Sequence, residues 1–365
     1  MAILLFIVIL LGLILVHEFG HFSVAKLFKI RVDEFGIGFP PRLWGRRYGE
    51  TDYTINALPF GGFVKIFGED GAEADASGES TARSFAKKSW WIQALVIVAG
   101  VFMNVVAAWL ILSVGYMVGL PAAASDTGLG VVTDAHVTVL GIAPGSPAET
   151  SGLISGERVV RIEATQGAFL EKDALADDVR HFIAQHGSED LTLTLARGET
   201  ERKVTMHPVE GLVEGKAALG VMLEDVGVRR LPVHLALIEG GILTGRLLRD
   251  TAVGLWGFFS GVVTGSADFS TVAGPVGIVG VVGEASEFGF VSVLMLAAII
   301  SINLAIINLI PFPALDGGRL VMVVVEAVMR RPIPSVVSLW VNGAGFVLLI
   351  VLMLVVTYND ILKLF

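Results

Sequence analysis

Four long runs of apolar residues dominate the chain. They cover residues 2–26, 90–120, 290–310 and 336–356. An α-helix rises about 1.5 Å per residue, so roughly 20 apolar residues cross the hydrocarbon layer of a bilayer. The pattern predicts an α-helical polytopic membrane protein with four spans.

A shorter apolar run at residues 251–264 is ambiguous, because about fourteen residues are few for a span. It carries Gly257, Gly261 and Gly265 at a spacing suited to close helix packing. We interpret it as an interfacial or bundle-packing helix. A crossing there would place the polar motifs of the first and third spans on opposite sides of the membrane.

Between the second and third spans the pattern changes to alternating residues and turns, which predicts an inserted α+β domain. A strand from Val137 leads through a turn and a short helix to a second strand. A helix at 172–185 and strands at 191–195 and 202–207, joined by a turn at 197–198, complete the domain.

Composition agrees with this division. Of the 365 residues, 54% are hydrophobic and 17% are charged, which is typical of a membrane protein with a soluble insert. The net charge of -9 argues against nucleic acid as a partner. The sequence has no cysteine, so a bound transition metal must use histidine, carboxylate or water.

The short loops predict orientation. Loops 29–89 and 319–335 are rich in Lys and Arg, as in Arg46, Arg47 and Arg319, which favours the cytoplasmic side for both. Both termini and the insert would then face outward. The acidic segment 68–81 is predicted to be a cytoplasmic linker.

The first span contains the motif His17-Glu18-Phe19-Gly20-His21. Residues four apart share a helix face, so both imidazoles can bind one metal ion, with Glu18 beside them as a base. The competing interpretation is an ordinary helix in which a buried histidine satisfies a hydrogen bond. Polar groups at bilayer depth are costly and normally functional, which favours the metal site.

A second polar motif follows the third span, where Asp316 lies in a Leu-Asp-Gly-Gly sequence after Pro311 and Pro313. It could be only a helix-ending turn. Spans one and three run in the same direction, so Asp316 and the histidines are both expected near the cytoplasmic side. Two histidines and one carboxylate leave a fourth position for water, as in catalytic zinc sites.

These motifs resemble the site-2 proteases, intramembrane zinc metalloproteases, and specifically the bacterial RseP type in a single-PDZ version. HEFGH at 17–21 matches the family's HExxH, and NLIPFPALDGG at 308–318 matches its NxxPxPxLDGG. Segment 58–69 resembles the family's membrane-reentrant β-hairpin, and AGPVGI at 273–278 resembles a further signature. Asn104 keeps a family position in span two, whereas the usual preceding proline is replaced.

The resemblance implies one Zn²⁺ per chain, held by His17, His21 and Asp316, with Glu18 as catalytic base. It implies peptide-bond hydrolysis in single-span membrane proteins already trimmed outside, such as anti-sigma factors or remnant signal peptides. Candidate substrate-binding residues are Asn308, Pro311, Asn56, Phe60, Gly61 and Gly62. For Asn308, interhelical hydrogen bonding is an equal alternative.

The insert resembles a PDZ domain, which either captures an extended peptide or gates substrate by size. Two rival functions remain: a metal transporter using the same ligands, and an inactive peptide-binding scaffold.

The predicted segments are span one with HExxH at 1–28, the hairpin loop at 29–89, span two at 90–120, the PDZ domain at 121–230, interfacial helices with the GPVGI segment at 231–288, span three with the LDG motif at 289–318, a cytoplasmic loop at 319–335, and span four at 336–365. The bacterial inner membrane is the expected location.

Overall fold

The computed structural model describes residues 1–69, 83–170, 174–198, 200–213, 216–266 and 274–362. The chain forms two compact units: unit 1 comprises 1–112 and 240–365, and unit 2 comprises 113–239. Most of the predicted acidic linker, the start of the 172–185 helix and Ala273 of the AGPVGI signature lie outside the described residues.

Four helices in the described part of the chain are long and apolar enough to cross a membrane. Their bounds lie close to the predicted runs: α1 Ala2–Leu27, α2 Trp90–Val118, α7 Phe290–Leu309 and α9 Ser335–Leu362. Each is apolar on most of its surface, which is the pattern expected of a helix in lipid.

The ambiguous apolar run is not a separate short helix. It is the second half of α5, which extends over Val233–Thr264. The first half carries charged residues such as Glu239 and Arg249, which masked the continuity of the helix in the sequence pattern. A further helix, α6, follows at Pro275–Glu287.

Two predictions at the third span were wrong. The helix ends at Leu309 rather than including the LDG motif, because Pro311 and Pro313 cannot continue it. Residues 319–335 are not simply a loop, since Asp316 begins helix α8, Asp316–Met329. This helix is amphipathic and too short to span a bilayer, so its pattern was hidden between two spans.

Between α1 and α2 lie two long antiparallel strands, β1 Val32–Tyr48 and β2 Thr51–Ile66. Each bends back on itself, so that 34–37 pairs both with 52–55 and with 62–65. The result is four paired segments in the order 62–66, 32–37, 51–56 and 42–48. Gly38 and Gly61 have positive φ values of 76° and 117°, which permits the bends.

An apolar cluster holds the base of these strands in unit 1. It combines residues from α1, the strand ends, α2 and α8: Ala25, Ile30, Val32, Ile66, Phe85, Val96, Ile97 and Val323. The backbone continues the ladder below the cluster, because Phe67 N–H donates to Arg31 O over 2.9 Å. The strands are therefore fixed at their base by packing and hydrogen bonds.

Unit 2 contains a seven-stranded sheet within the described residues, with β6 beside β5 and the other strands in the order β3-β11-β4-β5-β7-β8. The strands are β3 Leu120–Ala123, β4 Val132–Ile142, β5 Arg158–Ala164, β6 Phe169–Leu170, β7 Leu191–Arg197, β8 Thr200–Met206 and β11 Val221–Arg229. Strands β9 Val209–Val213 and β10 Lys216–Ala218 form a separate pair, and the helices are α3 Pro147–Thr150 and α4 Ala176–Gln185.

The core of unit 2 lies between this sheet and α4. Leu191, Leu193 and Leu195 of β7 are fully buried and pack with Val179 and Phe182 of α4. The predicted order of strand, helical turn, strand, helix and hairpin is thus the order observed in unit 2.

Candidate metal centre

The buried face of α1 carries the HExxH histidines. Its buried residues are Leu13, His17, His21 and Ala25, which recur every four residues as the helical repeat requires, and Gly20, three after His17. His17 is 7% and His21 9% exposed. A polar pair in this position needs a partner, because a buried polar group without one is costly.

Asp316 is that partner. Its Oδ2 lies 3.0 Å from His17 Nε2 and 3.4 Å from His21 Nε2, and the two Nε2 atoms are 3.1 Å apart. The three potential ligand atoms all lie within 4.8 Å of one another. Residues almost 300 positions apart in the sequence thus converge on one point.

The polar atoms fit a divalent cation. Asp316 Oδ2 is buried and receives no hydrogen bond from the described residues, although two imidazole nitrogens face it. His21 Nδ1 lies 2.8 Å from Val96 O, so a proton on Nδ1 leaves the Nε2 lone pair directed at the site. Two imidazoles and a carboxylate are the donor set of catalytic zinc, so the residues fit this metal.

Helix α2 approaches the histidines closely. Asn104 Nδ2 lies 3.3 Å from His17 Nδ1, and Asn104 is itself fixed by a hydrogen bond from Ser301 to its backbone oxygen. A Cβ at Gly100 would collide with His21 Nε2 and His17 Cε1, and a Cβ at Gly20 would collide with the Ala99 carbonyl. Glycine at both positions lets α1 and α2 cross at backbone contact.

A pocket of about 210 Å³ lies at the three ligands. Glu18 lines it beside His17, and its other charged residues are Glu69 and Arg319. Apolar walls come from β2 and α2, namely Phe63, Val64, Ile66, Val96 and Ile97. A carboxylate beside three potential metal ligands in an apolar pocket is an arrangement suited to hydrolysis.

The other predicted residues are placed differently. A Cβ at Gly62 would lie 3.6 Å from Glu18 Cγ, so the β2 backbone passes directly beside the base. Asn56 is buried and donates to Gly38 O over 3.0 Å, within the strands. Gly61 lies at a bend of β2 after Phe60, while Asn308 and Pro311 lie at and after the end of α7. In the described part of the chain, Gly61, Asn308 and Pro311 do not line the pocket.

Several site residues escaped sequence reasoning. The centre is also contacted or lined by four residues whose surrounding sequence carries no distinctive motif: Arg319, Glu69, Gly100 and Val96. Arg319 had one usable signal, because it lies three residues after Asp316 and therefore on the same helix face.

Comparisons with known proteins show the family to which the chain belongs. The family model described as Peptidase family M50, which comprises the site-2 proteases, matches residues 5–352. A Clostridium perfringens protein, provisionally named a zinc metalloprotease, is 35% identical over 362 residues, covering 96% of each chain. The zinc metalloprotease RasP of Geobacillus kaustophilus is 28% identical over 442 residues, covering all of this chain and 98% of its own.

A membrane-spanning zinc metalloprotease is thus the class that the fold, the centre and the relatives define. The chain belongs to Peptidase family M50. The expected cofactor, zinc, and the expected protease activity are confirmed at this level.

Proposed function

We propose that this protease hydrolyses a peptide bond within or near the transmembrane segment of single-span membrane proteins, with zinc held by His17, His21 and Asp316. The observation that carries the proposal is the convergence of Asp316 Oδ2 on both Nε2 atoms, at 3.0 and 3.4 Å, beside Glu18. The histidines lie in a helix that is long and apolar enough to span a membrane, which supports chemistry at bilayer depth.

Zinc, when bound, supplies a Lewis acid that lowers the pKa of a water molecule and polarises the scissile carbonyl. Glu18 takes a proton from the attacking water and delivers it to the leaving amide nitrogen. Val96 O accepts from Nδ1 of His21 and holds that imidazole in orientation. The side-chain amide of Asn104 contacts Nδ1 of His17; with zinc on Nε2, this Nδ1 carries the proton and the amide oxygen of Asn104, turned toward it, accepts the hydrogen bond. The apolar walls from β2 and α2 limit the access of bulk water.

The substrate must unwind, because helical carbonyls are occupied by their own hydrogen bonds. Segment 62–66 is one of the two outer segments of the four and pairs with 32–37. It supplies Phe63, Val64 and Ile66 to the pocket. The substrate therefore adds to this segment as an extended strand beside Glu18. Gly62 leaves space for this approach, because an added Cβ would lie 3.1 Å from Gly36 O and 3.6 Å from Glu18 Cγ.

Metal analysis of purified protein tests the site. We expect one zinc per chain in wild type, a loss of at least tenfold in affinity in His21→Ala and Asp316→Asn, and full zinc content in Glu18→Gln. Cleavage of a single-span substrate in proteoliposomes should fall by at least about 10³-fold in Glu18→Gln, because the base is lost. Zinc flux without proteolysis would instead select the transporter. Full activity in Glu18→Gln would contradict the proposal.

Unit 2 is a PDZ-like module that captures an extended peptide. A largely apolar groove of about 770 Å³ lies between α4 and β11 and is lined by Ile183, Ala184, Val221, Met222 and Leu223. Residues 221–225 of β11 pair with β4 on one side, whereas β3 pairs only with 226–229 on the other. Ala124 N donates to Asp225 O, and the Arg180 guanidinium donates to Leu223 O. A peptide strand can therefore add to 221–224 on the groove side when it displaces Arg180 from Leu223 O.

A groove-filling substitution tests capture against gating. Ala184→Trp occupies the groove, whereas Gln185→Trp places the same side chain on the next, non-lining position of α4. With the full chain in detergent and a pentapeptide ending in free valine, Ala184→Trp should weaken binding at least tenfold and Gln185→Trp less than twofold. Equal affinity in the two variants, or no saturable binding to wild type, would contradict capture.

We place the protein in the bacterial inner membrane with loop 29–89 and α8 on the cytoplasmic side. The basic residues of these segments support this orientation. Both termini and unit 2 then face outward, where a trimmed anti-sigma factor or a remnant signal peptide would present its shortened end. Labelling of single introduced cysteines by an impermeant reagent tests this topology, because the chain has no native cysteine.

A further inference from the structure

The metal pocket also contains an ion pair that the proposed mechanism does not use. Arg319 Nη2 lies 2.5 Å from Glu69 Oε1, and both side chains line the pocket. Arg319 lies one helical turn beyond Asp316, on the same face of α8. Among the described residues that line the pocket, it is the single Lys or Arg.

The charges of the pocket balance only when Arg319 is included. Glu18, Glu69 and Asp316 bring three carboxylates into a site with apolar walls. A divalent cation offsets two of these charges, and the guanidinium offsets the third. Charge balance matters here because unpaired charges in an apolar environment are strongly unfavourable.

A purely structural latch is the competing explanation for this pair. Glu69 follows β2 and Arg319 belongs to α8, so the pair does join the strands to the helix. However, the apolar cluster that includes Ile66 and Val323 already joins them. The two side chains are 34% and 18% exposed, so solvent screens part of their attraction and the pair adds less than a fully buried one. A latch role therefore leaves the direction of Arg319 into the reaction pocket unexplained.

We propose that Arg319 is a catalytic residue that binds the oxygen of the scissile carbonyl as charge develops on it, and then the carboxylate of the product. Glu69 is a positioning residue that holds the guanidinium at the pocket before substrate arrives. The inference rests on the proposed hydrolytic function of His17, Glu18, His21 and Asp316.

The chemistry of hydrolysis creates the group that Arg319 fits. Water adds to the carbonyl carbon, a C–O bond forms and the carbonyl oxygen becomes an oxyanion. The C–N bond then breaks, the nitrogen leaves as an amine with the proton carried by Glu18, and the other half of the peptide becomes a carboxylate. A guanidinium binds two oxygens in a planar, bidentate arrangement that a lysine cannot reproduce.

Kinetics of three full-chain variants test the role. Arg319→Gln should lower kcat about 100-fold with KM within threefold, as for loss of one oxyanion donor. Arg319→Lys should recover less than a tenth of the lost rate, and Glu69→Gln should lower kcat less than tenfold because the guanidinium remains. Zinc content should stay at one per chain in all three variants, and matching circular dichroism spectra should show that they fold.

Product binding supplies a readout that does not depend on turnover. In the zinc-loaded Glu18→Gln protein, a hexapeptide matching the new C-terminal end of the cleaved model substrate should bind at least tenfold more tightly as the carboxylate than as the carboxamide. Arg319→Gln should abolish this preference. Carboxylate binding by the groove of unit 2 would persist in Arg319→Gln, so the difference isolates the pocket.

The outcomes separate the two proposals. Full activity in Glu18→Gln would overturn the proposed function and this inference with it. If that variant is inactive, an Arg319→Gln variant within threefold of wild type overturns this inference alone.

Discussion

The absence of a side chain at Gly100 leaves the space in which His17 and His21 approach Asp316. Gly100 faces the imidazoles of His17 and His21, and Gly20 faces the Ala99 carbonyl across the same helix crossing. A metal site needs its ligands held to within about half an ångström of the productive geometry. Glycines at this crossing therefore contribute to chemistry although they carry no functional group.

Gly100→Ala should accordingly weaken zinc binding by about 10- to 100-fold, as substitutions around metal ligands do. The added methyl group must displace His21 or His17, or push α2 away from α1. Zinc retained after dialysis against graded chelator concentrations measures the effect.

Gly12→Ala is the matched control for this prediction. A Cβ at Gly12 meets no atom within 4 Å, so alanine there should leave zinc affinity unchanged. Alanine also favours the helix over glycine by up to about 1 kcal/mol. Equal zinc retention in Gly100→Ala and Gly12→Ala would show that the helix crossing tolerates the methyl group.

At the scale of elements, an acidic residue in the last helix explains the GPVGI segment. Asp360 of α9 is 4% exposed and accepts hydrogen bonds from Gly274 N at 3.2 Å and Gly277 N at 2.8 Å. These are the free N–H groups at the start of α6, where the helix dipole also favours a carboxylate. A Cβ at Gly274 would press against Asp360 and Val356, which accounts for the glycine.

Asp360→Ala should therefore loosen the start of α6 by about 1–2 kcal/mol, the usual effect of losing a helix cap. Hydrogen exchange at residues 277–280 should quicken by about tenfold, while α7 should change little. Asp360→Asn keeps one acceptor oxygen and should show an intermediate effect. Identical exchange in all three proteins would mean that the carboxylate does not hold α6.

Over the whole molecule, the sequence predicted the features that depend on residues close together along the chain. Span lengths follow from runs of apolar residues, and the His17–His21 pair follows from helical spacing, so both were predictable. The α8 helix was missed because it lies between spans, and the fourfold pairing of β1 and β2 was missed because register depends on partners distant in sequence. The motif around Asp316 marked that residue in the sequence. The position of Arg319 in the lining of the pocket could be found only from the structure.

Because the two units have separate cores, zinc removal should change hydrogen exchange in unit 1 only. The proposed ligands belong to α1 and α8 of unit 1, whereas β7 lies in the core of unit 2. Bound metal stabilises the folded state by mass action, by about 4 kcal/mol at a thousand times its Kd. Chelation in the Glu18→Gln protein, which cannot digest itself, should therefore increase hydrogen exchange in residues 13–25 and 316–323 and leave 191–197 unchanged. Exchange that rises equally in all three segments would show that unit 2 depends on the metal centre for its stability.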